Sequence, residues 1–265
     1  MEPFFPGSSY DTPEDYPRFL GDRLSFNTRW YFAARYIREV FRSRSIALRG
    51  LYDRKAWAES SFRVFKSIEG CGGHFHLKGL DNLRASQGPV VFISNHMSTL
   101  ETMVLPGIIA PVMEVTFVVK DSLTRHPLFG PVMRARDPIV VNRKNPREDF
   151  QTVMIKGREC LAKGTSLVIC PQSTRTVEFV PEEFNSLGIK IAKAAGVPVL
   201  PLALKTDFWG NGKYLKELGP LHRNLPIHMV FGSPFTVQGN GKDDQKRTID
   251  FLMENLQRWD AEIKR

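Results

Sequence analysis

The chain has 265 residues, 42% of them hydrophobic and 25% charged; this is the composition of an ordinary globular protein and excludes a disordered or collagen-like one. Its 37 Lys and Arg against 28 Asp and Glu leave +9, a balance that suits nucleic acid, anionic lipid headgroups or phosphorylated ligands without choosing among them. Cys71, Cys160 and Cys170 have neither CxxC nor metal-ligand spacing, so they read as reduced, buried thiols of a cytoplasmic protein.

Residues 1–22 read as an irregular arm, with Pro3, Pro6, Pro13 and Pro17 among acidic residues. No basic start leads into an apolar run, so no secretory signal is expected. No stretch reaches the roughly 18 apolar residues of a spanning helix, so the chain is expected to sit on a membrane rather than cross it.

Residues 26–48 turn helical, because Phe26, Trp30, Ala33, Ile37, Val40 and Phe41 fall on one arc while Arg35, Arg38 and Arg42 point the other way. A second helix over 52–68 continues the basic and aromatic mixture through Arg54, Lys55, Trp57, Phe62, Arg63, Phe65 and Lys66. Residues 23–66 hold eleven Lys and Arg against Glu39, Asp53 and Glu59, so the basic excess of the chain is local. Such a segment suits the interface of an anionic membrane, apolar face down. The same pattern fits a helical pair packed on the main domain with a solvated Arg face.

After the break at 69–73 (EGCGG), strands and helices alternate. Residues 89–94 (PVVFIS) read as a buried strand and 97–109 as the helix after it. Strands over 115–119 and 139–141 precede a helix over 146–162, then come a strand over 166–170, a helix over 184–195 stopping at Gly196, and a strand over 198–204. One or two strands over 226–238 and a closing helix over 243–264 complete the pattern. Strands separated by helices of this length imply βαβ units. The fold class is therefore α/β, a mostly parallel central sheet flanked by helices, with an N-terminal amphipathic helical appendage. The expected division is an arm (1–22), a basic membrane-docking appendage (23–70) and an α/β domain (71–265). Ligands should gather at the carboxyl ends of the strands.

His96 stands just beyond one such strand, with Glu101 five residues later. Five residues turn a helix by about 140°, so the two side chains meet only if His96 lies in the turn before the helix. With Asn95 as the expected cap, a carboxylate on one imidazole nitrogen would leave the other as a base. A histidine and an acid near a helix start are more often structural than catalytic, so the pair alone assigns nothing.

Four ordered segments resemble the blocks of the glycerolipid acyltransferase superfamily, best known through lysophosphatidate acyltransferases. Asn95-His96 through Glu101 resembles N-H-x4-D. Lys120 through Gly130 (KDSLTRHPLFG), on to Val141-Asn142-Arg143, resembles the second block. Pro171-Gln172-Ser173-Thr174-Arg175-Thr176 resembles P-E-G-T-R-S, and residues 197–202 (VPVLPL) resemble V-P-[IV]-x-P. The resemblance implies an O-acyltransferase in which His96 is the base and Glu101 orients it. It places Lys120, Arg143, Gln172, Ser173, Thr174 and Arg175 at the substrate. It also implies an acyl-CoA or acyl-carrier protein donor, a lysophospholipid acceptor, and neither metal nor cofactor, since thioester-to-alcohol transfer needs only a base; the basic appendage adds the expectation of a cytoplasmic protein peripheral on the anionic inner face of a membrane.

Three positions depart from the family pattern. Glu101 replaces the usual Asp, and Gln172 and Ser173 replace the usual Glu and Gly, which removes one negative charge beside the acceptor. These changes motivate a rival reading, a catalytically silent relative that binds lipid or acyl carrier. A nucleic-acid partner is not expected, because the cations sit on amphipathic helices and no zinc-finger or RNP-like motif is present. His74 and His76 share a strand face without a completing Cys or acid, so they read as structural.

Overall fold

A computed structural model describes residues 1–172, 174–212 and 216–263. The N-terminal region forms β1 (Ser9–Asp11), α1 (Leu20–Leu24), α2 (Trp30–Leu48) and α3 (Arg54–Glu69), followed by β2 (Phe75–Lys78) and α4 (Leu80–Ala85). The alternating region comprises β3 (Val91–Ser94), α5 (Thr99–Ile109), β4 (Val115–Lys120), α6 (Asp121–Arg125), α7 (Gly130–Arg134), β5 (Ile139–Val141), α8 (Pro146–Ala162), β6 (Ser166–Ile169), α9 (Leu187–Ala195) and β7 (Val199–Lys205). Strand β8 (Ile227–Phe231) and helix α10 (Lys242–Ile263) follow.

The strands make one sheet in the order β1-β2-β8-β7-β3-β6-β4-β5. Pairing from β7 through β3, β6 and β4 to β5 is parallel, whereas β8 runs antiparallel to β7 and β1 antiparallel to β2. All four residues of β3 and all seven of β7 are buried, which is why these strands read as continuous apolar runs rather than alternating ones. Their side chains still divide by face: Phe92, Leu200 and Leu202 join the core under α2, α3 and α5, and Val91, Ile93 and Val199 join the core under α8, α9 and α10.

The N-terminal segments are built into the domain. The arm expected to be irregular contributes β1, and Phe5 is buried against Phe65. Helix α3 lies on α5 closely enough that a Cβ on Gly107 would stand 2.9 Å from the Phe62 nitrogen. Ser61 Oγ occupies the gap, donating to the Met103 carbonyl at 2.6 Å and accepting from the Gly107 N–H at 2.7 Å.

The expected aromatic arc divides in two. Ala33 is buried and Val40 packs on the core, whereas Phe26, Trp30, Ile37 and Phe41 are exposed. Trp30, Ile37 and Phe41 share one face of α2 with the exposed Leu48, and the exposed Arg38, Arg42 and Arg49 lie on the face beside it. Arg35 is not on that charged margin: it stacks over Phe19 at 4.1 Å and donates to Ser67 Oγ at 3.2 Å. The core takes Phe32 and Tyr36 instead, both packed edge-on against Trp209, because a docked helix buries the arc set by its docking angle, not the most apolar one.

Candidate active site

His96 lies in the loop between β3 and α5. The helix cap is Ser98, not Asn95, and α5 starts at Thr99, two residues later than expected. Ser98 and Glu101 form a reciprocal capping box. Asn95 is buried and bonds both ways to Leu204 of β7, its Nδ2 donating to the carbonyl at 2.8 Å and its Oδ1 accepting from the N–H at 2.9 Å. That pair fixes the loop to the neighbouring strand, and the later helix start leaves His96 free to turn toward Glu101.

His96 Nδ1 is 2.8 Å from Glu101 Oε1. The same oxygen accepts from the Met97 and Ser98 N–H groups at 2.7 and 2.9 Å, and Oε2 accepts from Thr206 Oγ1 at 2.5 Å. Ser98 Oγ shares its proton between Glu101 Oε2 at 3.0 Å and the Thr206 carbonyl at 2.9 Å. Burial pushes the Glu101 carboxyl up, but the bonds from His96, Thr206 and Ser98 outweigh it and hold the group below the ordinary carboxylate range. An ionised carboxylate only accepts, so Nδ1 carries the imidazole proton and the lone pair of neutral His96 is on Nε2.

The third block grips the His96 backbone from both sides. Gln172 Oε1 accepts from the His96 N–H at 2.7 Å, and the Thr176 N–H donates to the His96 carbonyl at 3.0 Å. Gln172 Nε2 reaches Thr176 Oγ1 at 3.1 Å, which closes the clamp. Gln172 therefore holds the loop rather than lining the cavity beside it. Ser173 lies outside the described residues.

His96 opens on a cavity of about 460 Å³. Lys120, Arg143, Thr174 and Arg175 line it with His96 and Thr99, and its walls run on past Val40, Met103, Phe117 and Phe129. Each group at the polar end comes from the carboxyl end of a strand: His96 after β3, Lys120 closing β4, Arg143 after β5, and Arg175 after β6. Arg175 Nη1 donates to Thr99 Oγ1 at 2.9 Å and stands 3.8 Å from Glu217. Arg143 has a left-handed backbone, and Asp149 at the start of α8 accepts its N–H at 2.8 Å. Burial, with the Glu101 charge adding, holds the nearby Cys170 thiol at about 12, so it stays protonated near neutral pH and is no nucleophile.

Ser98, Thr206 and Glu217 join the site without having been expected there. Ser98 was legible, since Ser-x-x-Glu before an apolar run is a capping-box signature. Thr206 and Glu217 carry no local signal.

A family model described as Acyltransferase matches residues 74–205. The 1-acyl-sn-glycerol-3-phosphate acyltransferase of Pseudomonas aeruginosa is 30% identical over 202 residues, which are 76% of this chain and 73% of that protein. The chain belongs to the acyltransferase family. The Escherichia coli enzyme of the same description is 24% identical over 67% of this chain and 69% of its own length. The chloroplastic LPAT1 of Arabidopsis thaliana is 28% identical over 61% of this chain and 41% of its own length. In fold, the acyltransferase is similar to the crystal structure of the 1-acyl-sn-glycerophosphate acyltransferase PlsC from Thermotoga maritima, with a TM-score of 0.64 at 17% identity over 90% of this chain and 95% of that one. The glycerolipid acyltransferase superfamily works on an acyl donor and a lipid acceptor. All four segments singled out in the sequence, Asn95 to Leu202, fall inside the matched region.

Proposed function

We propose that this acyltransferase moves a fatty acyl group from acyl-CoA or acyl-carrier protein to the hydroxyl of a lysophosphatidate-like acceptor, with His96 as general base. The observation that carries this reading is the His96–Glu101 pair, whose carboxylate is 1% exposed and whose imidazole opens on the cavity. Nε2 takes the acceptor proton as the hydroxyl oxygen attacks the thioester carbon, and the imidazolium returns it to the departing sulfur. Glu101 stabilises that imidazolium at short range from a buried position.

Lys120 and Arg175 are the acceptor's phosphate ligands in this reading, Lys120 as a point charge and Arg175 as a fork already oriented by Thr99. Arg143 lies at the same end. The apolar walls take an acyl chain. Gln172 acts through His96: an amide keeps the acceptor for the His96 N–H that a carboxylate would supply, so the altered third block is compatible with turnover.

Among the described residues no helix is long and apolar enough to cross a membrane. The exposed strip of Trp30, Ile37, Phe41 and Leu48 with Arg38 and Arg42 alongside supports peripheral docking on the anionic cytoplasmic face. Reversing Arg38 and Arg42 to Glu should weaken co-sedimentation with anionic vesicles at low salt; unchanged binding would remove docking from the reading.

The deciding assay incubates a lysolipid panel with labelled acyl-CoA and acyl-carrier protein. Label should pass to lysophosphatidate in wild type, and Arg175→Ala should raise the acceptor KM more than the donor KM. A silent relative would bind lysolipid and leave all label on the donor.

A further inference from the structure

A carboxylate that none of the four blocks supplies stands at the catalytic mouth. Beyond the region matched by the family model, the chain leaves β7 and returns to β8 along two legs, which the Trp209–Leu221 bridge ties together. The Gly210 N–H donates to the Pro220 carbonyl at 2.9 Å, and the legs lie so close at Gly219 that the Gly210 carbonyl leaves no room for a Cβ. Trp209 is buried against Phe32 and Tyr36 of α2, so the base of this excursion is fixed to the core. The returning leg makes one turn of 3-10 helix (Lys216–Leu218) and presents Glu217 to the cavity beside Arg175.

The acceptor capacity of Glu217 is unspent. The side chain is 27% exposed, and among the described residues it accepts no hydrogen bond; its one ion partner, Arg175, stands 3.8 Å away, outside hydrogen-bond reach. Arg175 Nη1 donates to Thr99 Oγ1. Burial, with the Glu217 charge adding, holds the Tyr36 hydroxyl above its ordinary range, and its proton goes to Met103 Sδ at 3.7 Å. The cavity wall has a second carboxylate, Glu39, but Arg63 engages it at 2.9 and 3.0 Å. Gln172, at the acid position of the third block, is turned to the His96 N–H. Glu217 is therefore the carboxylate with open lone pairs among the described residues of the mouth.

A phosphate monoester held by Lys120 and Arg175 brings only acceptors and negative charge up to Glu217. A phosphodiester whose substituent ends in an ammonium answers both signs at once, the phosphate on the two cations and the N–H donors on the carboxylate. We infer that Glu217 reads the headgroup of the acceptor and favours a lysophospholipid whose phosphate is esterified to a primary amino alcohol; lysophosphatidate is the poorer substrate. The inference rests on the acyl-transfer reading of the same site and names its acceptor class.

Isothermal titration with short-chain 2-deoxy lysolipids, which lack the attacking hydroxyl, tests it without turnover. Three analogues of equal chain length are compared: the phosphate monoester, its ethanolamine diester and its glycerol diester. Wild type should bind the ethanolamine diester on the order of tenfold more tightly than either of the others. Glu217→Gln should bring both ratios to one or below, and because each is taken within one variant, a general loss of stability cancels. Equal or tighter binding of the monoester by wild type, a glycerol diester that binds as well as the ethanolamine one, or ratios that survive Glu217→Gln would overturn the inference. The predicted ratios accompanied by no acyl transfer to any lysolipid would instead sink the proposed reaction and leave the headgroup recognition standing.

Discussion

His96 and His76 each hold a carboxylate oxygen on Nδ1 at nearly the same distance, 2.8 Å to Glu101 and 2.7 Å to Asp11. Around the contact they differ in every respect. Glu101 is 1% exposed and takes hydrogen bonds from three further residues, while Asp11 is 58% exposed on an edge strand. His96 opens on the cavity; His76 lies against His228, which in turn stacks on Trp259 at 4.9 Å. An exposed pair of this kind contributes about 0–1 kcal/mol and is easily broken. A buried carboxylate with its lone pairs satisfied is fixed in place and in charge before substrate arrives. Distance alone thus does not make a base; the supporting bonds and the access do.

The largest contrast is expected from removing the imidazoles. His96→Ala should lower the acyl-transfer rate by about 10²- to 10⁴-fold at unchanged melting temperature, and His76→Ala should leave the rate as it is. A folded His96→Ala protein with full activity would erase the distinction. Next come the carboxylates: Glu101→Gln should slow kcat by about 10²-fold, because an amide cannot stabilise imidazolium, whereas Asp11→Asn should be silent in the same steady-state assay. Smaller still is Thr206→Val, which removes the 2.5 Å bond to Glu101. It should lower kcat about tenfold with little change in either KM, and a compensating KM effect would show that Thr206 acts on substrate binding instead.

The smallest effect concerns the structural histidines. Burial, with the charges of His76 and Lys78 adding, pushes His228 down to about 3 from its ordinary 6.5. Between those values the unfolded chain binds a proton that the folded one refuses, so stability should fall as pH drops from about 6.5 toward about 3. His228→Phe keeps the stack and should flatten that slope in denaturant titrations. An equal slope in the variant would mean that His228 is not the group responsible. Activity should be unaffected, in contrast to every change at the His96 site.

The sequence by itself determined the alternation of strands and helices, and with it the parallel sheet and the gathering of polar groups at the strand ends. It also determined that His96 and Glu101 could meet, since a five-residue step across a turn is a local matter. Only the tertiary structure decided what surrounds them. Thr206 reaches Glu101 across 105 positions of sequence and Gln172 reaches the His96 backbone across 76. Those encounters follow from strand order, with β3 lying between β6 and β7, and periodicity carries no information on which strands become neighbours. The same holds for α2, whose sequence shows an amphipathic helix but not which arc is buried. Phe32 and Tyr36 went inward and Trp30, Ile37 and Phe41 stayed outside, because docking against α3, α7 and Trp209, rather than the sum of hydrophobicity along one face, set the rotation of that helix.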